Sequence, residues 1–81
     1  MGHRQRIIGI FRHSLDLPAE VVVETLAYRA VSQWNSVAHM QLVAALESAF
    51  DILMETDDII DMSDFDTALT ILARHGVDTS A

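Results

Sequence analysis

The run from Asn35 to Phe50 constrains this chain most. Asn35 is a residue type that favours the N-cap, where its side-chain oxygen accepts from an amide two or three residues on. Behind it Leu42, Val43, Leu46 and Phe50 recur on one face at helical spacing. The pattern predicts an amphipathic helix from Ser36 to Phe50, about 22 Å long at the standard rise. A helix with such a stripe has to bury it against other elements. Ser36 then becomes the first helical residue and points outward. Unpaired amides and the positive end of the helix dipole lie beside its hydroxyl, a setting that suits a phosphate ester.

The covering elements follow from the same spacing rule. Ile7, Ile8, Phe11 and Leu15 predict a first helix from about Gln5 to Leu15. It ends before Pro18, whose ring disfavours helical geometry at Leu17. Between Asp16 and Asn35, Val21-Val22-Val23 breaks any clean stripe, so a long ordered loop is expected, with a helical turn after Pro18. Thr56 is expected to cap a short third helix through Asp61, with Asp57 and Asp58 in its first turn where they complement the dipole. Ser63, with Asp66 as its capping-box partner, is expected to open a last helix. Phe65, Ala68, Leu69 and Leu72 would face inward there, and Gly76 would form a left-handed stop. The expected fold is all-α, a small four-helix bundle of three longer helices and a short third one, with a long first loop. One domain spans residues 1–81. Residues 1–3 are expected to be a cloning remnant or disordered, and residues 77–81 a frayed tail.

Composition narrows the chemistry. The chain has 81 residues and no cysteine, which removes disulfides and thiolate metal sites. Half of its residues are hydrophobic, yet no apolar run approaches the eighteen or so residues of a membrane span. The N-terminal segment alternates arginine with apolar residues, unlike a signal peptide, so a cytoplasmic location is expected. The histidines are scattered, and the segment from Asp57 to Asp66 lacks the alternating ligands, central glycine and closing glutamate of a calcium loop, so no metal is expected. Ser36 and His39 have no orienting acid or oxyanion hole near them in sequence, and no catalytic residue is expected. The net charge of −7 is uneven: Ala30 to Ala73 holds eight acidic residues and no Arg or Lys. Such a surface repels nucleic acid. Its ordinary role is solubility; beside a helix-start serine it also reads as a docking surface that steers basic enzymes.

Trp34-Asn35-Ser36, with His39 three residues after the serine and Leu42 beyond it, resembles the modification site of the acyl carrier and peptidyl carrier proteins, in their free-standing form. The resemblance runs from roughly Ile7 to Gly76. It implies 4′-phosphopantetheine, donated by coenzyme A and esterified to Ser36 between Asn35 and Val37, holding acyl groups as thioesters. The family usually has aspartate at the position of Asn35, where it helps hold the transferase's magnesium. Asparagine keeps the cap but is a weaker ligand for a hard cation. The resemblance also implies a first loop pinned by apolar residues, here Leu26, Tyr28 and Val31, and a His39 that packs near the mouth of the bundle. Val37, Met40, Gln41, Ala44 and Glu47, with Asp57, Asp58 and Asp61, would form the partner-binding face. Val43, Leu46, Ile59, Ala68 and Leu72 would line an acyl crevice. The implied partners are a phosphopantetheinyl transferase, an acyl- or aminoacyl-loading ligase or acyltransferase, and a ketosynthase or other modifying enzyme. A monomer with no nucleic acid or membrane partner is expected. Gln41, where fatty-acid carriers usually have glutamate, points toward polyketide or specialised fatty-acid-like biosynthesis. An aminoacyl or peptidyl carrier and an unmodified helical adaptor that docks through its second helix are the alternatives.

Overall fold

Among the described residues the chain forms four α-helices. The computed structural model describes residues 2–81. Its elements are α1 (Arg4–Ser14), α2 (Ser36–Phe50), α3 (Thr56–Asp61) and α4 (Phe65–Arg74), with a 3₁₀ turn at Val23–Thr25 in the connection from α1 to α2. No strand occurs among the described residues; Ala27 and Asp64 form one isolated antiparallel bridge. The architecture is a small all-helical bundle.

Each long helix contributes the stripe its sequence carries. Ile7 and Phe11 of α1, Leu42, Val43 and Leu46 of α2, and Phe65, Ala68, Ile71 and Leu72 of α4 are buried together. Phe11 stands at the centre, edge-on to Phe65 at 5.1 Å and to Trp34 at 5.6 Å between ring centroids. Such edge-to-face pairs contribute beyond the area they bury.

The long first connection behaves as part of the core. Leu17, Val23, Leu26 and Trp34 are buried, and Tyr28 and Val31 pack half-buried against them. Of the expected pins Leu26 is the deepest; Val23 and Trp34, which were not among them, have no exposed surface. Backbone bonds tie the segment to the start of α4: Tyr28 N–H donates to Ser63 O at 2.7 Å and Phe65 N–H to Leu26 O at 3.1 Å. Arg12 ties it to α1, donating from its two terminal nitrogens to Pro18 O at 2.9 Å and Val21 O at 3.0 Å.

Two helix starts differ from expectation. Glu55, not Thr56, caps α3, through a reciprocal capping box with Asp58; Thr56 is already helical. Asp64, not Ser63, caps α4, accepting from Thr67 N–H at 2.7 Å. The bridge to Ala27 holds Asp64 extended, which places its carboxylate over the first turn and leaves Ser63 outside the helix. At the other end Gly76 adopts a positive φ of 88°, the left-handed stop expected there.

The two chain ends meet from Gly2 onward, and Met1 lies outside the described residues. His3 N–H donates to Asp78 O at 2.8 Å and Arg4 N–H to Ser80 O at 3.2 Å, so the segment after Gly76 satisfies amides at the open end of α1. A side chain at Gly2 would collide with the Ser80 carbonyl, so the close approach requires glycine.

Arg12→Met keeps the aliphatic stem and removes both donors, leaving the Pro18 and Val21 carbonyls short of partners. A loss of about 1–3 kcal/mol in unfolding free energy is expected. Urea denaturation measures it, with Arg6→Met, which removes an exposed bond to Ala49 O, expected to cost less.

Candidate functional site

The mouth of α2 is built by Asn35. Its extended backbone directs the side-chain oxygen at Ala38 N–H, 3.0 Å away, and its amide nitrogen donates to Ser32 O at 3.4 Å. Ser36 follows as the first helical residue, exposed, with its hydroxyl engaged by none of the described residues. One amide of the first turn is satisfied by the cap, and the others face solvent beside that hydroxyl. A cavity of about 250 Å³ lined by Arg29, Val31, Ser32, Trp34 and Asn35 adjoins this end of the helix.

Trp34, read in the sequence as part of the motif, is a fully buried core residue. Its indole N–H donates to His39 Nδ1 at 2.9 Å, and His39 Nε2 lies 2.8 Å from Ile59 O. A carbonyl oxygen only accepts, so Nε2 carries the proton and Nδ1 offers its lone pair to the indole. His39 thus joins the first loop, α2 and α3. Tyr28 packs edge-on against its ring at 5.2 Å.

A second cavity, about 200 Å³ and mainly apolar, lies beside this link, lined by Tyr28, His39, Ile59, Ile60, Met62 and Ser63. Of the five residues expected to form an acyl crevice, only Ile59 lines it. Val43, Leu46, Ala68 and Leu72 are buried in the core and do not line this cavity. Tyr28, Ile60, Met62 and Ser63 were not read as cavity residues. Tyr28 carried the one usable signal, an amphipathic ring among the apolar pins of the first loop.

The expected partner-binding residues divide. Val37, Met40, Gln41 and Ala44 are exposed along one face of α2, Val37 at 70 %. Glu47 is half-buried and accepts from Met54 N–H at 2.9 Å, so it anchors the connection to α3. Asp57 and Asp61 are exposed, and Ile60, 72 % exposed, stands between them in the chain. Asp58 does not belong to this face. It is buried, accepting from Glu55 N–H at 3.3 Å, with His75 Nε2 at 2.8 Å and an Arg74 nitrogen at 3.7 Å. The His75 hydrogen bond is the main cause that holds the Asp58 carboxyl below its ordinary value near 3.8, helped by the Glu55 amide and Arg74 against the opposing cost of burial.

The acidic surface is therefore thinner than composition suggests. Asp64 is committed to its cap, which also lowers its carboxyl through the Thr67 hydroxyl and amide. Asp58 and Glu47 point into structure. Asp51, Asp57, Asp61 and Asp66 remain exposed with no hydrogen bond or ion pair from their carboxylates among the described residues.

Because Asp58 titrates lower in the folded chain than in the unfolded one, its stabilising contribution is full above pH about 4 and is lost as pH falls through its folded value. Asp58→Asn is expected to lower stability at pH 7, and the gap from the parent protein to close progressively below pH 4. Urea midpoints between pH 3 and pH 7 measure both.

No helix among the described residues is long and apolar enough to cross a membrane. Compared with known proteins, the chain matches no family model, no curated protein and no solved structure.

Proposed function

We propose that this chain is a free-standing acyl carrier that holds intermediates as thioesters on a 4′-phosphopantetheine arm esterified to Ser36, in polyketide or other specialised fatty-acid-like biosynthesis in the cytoplasm. The observation that carries the reading is the position of Ser36: an exposed hydroxyl on the first residue of a capped fifteen-residue helix. The dipole and open amides there favour a phosphodiester. Ser63 lacks that setting. It lies outside α4, next to the capping carboxylate of Asp64, which would repel a phosphate.

In this role the chain does no chemistry of its own. It converts a diffusing acyl group into a tethered one, so that a docked enzyme meets the thioester at high effective concentration. Val37, Met40 and Ile60 supply exposed apolar contacts, and Asp57 and Asp61 supply charge to steer a basic partner. The 200 Å³ cavity suits a short apolar segment better than a long chain. An aminoacyl or peptidyl cargo would use the same serine. The exposed Val37, Met40 and Ile60 also favour a second reading, an unmodified adaptor that docks by this face.

Incubation with coenzyme A, magnesium and a permissive phosphopantetheinyl transferase is expected to add one arm by intact mass. Ser36→Ala is expected to abolish the addition and Ser63→Ala to leave it. An unmodified parent chain, in a reaction that modifies a control carrier, would favour the adaptor. Asn35→Asp is expected to keep the helix cap and to raise the rate of arm transfer at limiting magnesium, because a carboxylate binds the hard cation better than an amide. A magnesium titration of the transfer rate measures this.

A further inference from the structure

The short helix α3 is held from two sides by histidines. His75, just past α4, bonds the Asp58 carboxylate near its start, while His39 of α2 bonds the Ile59 carbonyl. The two respond oppositely to a proton. Protonated His75 remains a donor to Asp58 and gains charge attraction. Protonated His39 also remains a donor to Ile59 O, but its second proton points from Nδ1 into the 2.9 Å gap already filled by the Trp34 N–H.

The conflict resolves on the histidine side. Trp34 is fully buried and fixed by Phe11 and Tyr28, whose rings meet it edge-on at 5.6 and 6.0 Å. His39 is only half-buried, so its ring, not the indole, has a route to solvent. No ion pair reaches it among the described residues: the loop presents Tyr28 and Trp34, and α3 presents a neutral carbonyl. Among the described residues no carboxylate is bonded or paired to the ring. When it turns, Nε2 leaves Ile59 O, and the wall of the 200 Å³ cavity formed by Ile59, Ile60 and Met62 loses its tie to α2.

We propose that His39 is an acid-released latch that closes α3 over this cavity. The Trp34–His39–Ile59 chain holds in the neutral imidazole and opens on protonation, while the Asp58–His75 contact keeps the start of α3 in place as a hinge. The latch stands independently of the carrier reading; only the identity of what enters the opened cavity rests on it.

The test uses the isotope-labelled, unmodified full chain followed by NMR from pH 8 to pH 5, the range in which histidines change charge. In the parent protein a loss of at least tenfold in hydrogen-exchange protection at the Ile59 and Met62 amides is expected at pH 5, after correction for intrinsic rates, with α1 and α4 amides unchanged. The Trp34 indole signal is expected to shift with the same midpoint as the His39 ring. His39→Gln, which can accept and donate without titrating, is expected to remove the pH response of α3. Unchanged α3 protection in the parent, loss shared equally by α4, or an equal response in His39→Gln would overturn the proposal. If His39→Gln does not fold, the parent alone decides, because separate midpoints for the indole and the His39 ring would also overturn it.

Discussion

A buried indole must find an acceptor, and the site end of this bundle is arranged around that requirement. Trp34 is the largest fully buried side chain, and leaving its N–H unpaired would cost about 1–3 kcal/mol. His39 meets the need from one turn into α2, which fixes the distance between the loop and the helix start. Asn35, lying between the buried indole and the helix, is thereby held in the extended geometry that a cap requires. The exposure of Ser36 is a consequence. The residue two places before it is pulled inward, and the helix it opens leads away from the loop. The same histidine uses its other nitrogen on α3, so one ring orients three segments.

Charge is used with similar economy. Eight acids without a balancing base between Ala30 and Ala73 would strain so small a domain through repulsion if all stood free. Half of them are instead drawn into the fold: Glu47 onto the Met54 amide, Glu55 and Asp58 into a capping box, Asp64 onto its own helix. Most of the arginines are engaged in turn. Arg6 lies over Phe50, Arg12 holds the first loop, and Arg74 stands near Asp58. What is left outward is a short row of carboxylates near exposed apolar side chains.

How much of this was legible depends on whether the deciding contact is local. The bounds of α2 follow from residues within one turn of each end, and they are as the sequence indicates. Those of α1 differ by one residue. The caps of α3 and α4 were misplaced because Thr56 and Ser63 have the right side chains for capping. Backbone pairing between Ala27 and Asp64, nearly forty residues apart, and the Glu55–Asp58 box decided otherwise. Asp58 looked like its neighbours Asp57 and Asp61, since nothing in the local pattern reveals His75 as its partner. The residues expected to line a crevice illustrate a related point. Val43, Leu46, Ala68 and Leu72 have the apolar character of a cavity wall, but so does any core residue, and only packing tells a filled space from an empty one.

The site is divided between a firm part and a yielding one. Ser36 stands on a fifteen-residue helix whose stripe is buried in the core it shares with α1 and α4. The cavity wall stands on α3, whose six residues are too few to be helical without help. Its capping box and two histidine contacts supply that help, along with the burial of Met62 at its end. A group attached at Ser36 would thus keep a fixed origin while the nearby space changes size. Had the two properties shared one helix, any loosening of the wall would have displaced Ser36 as well. Placing them on separate helices, coupled through a single imidazole, lets one move without the other.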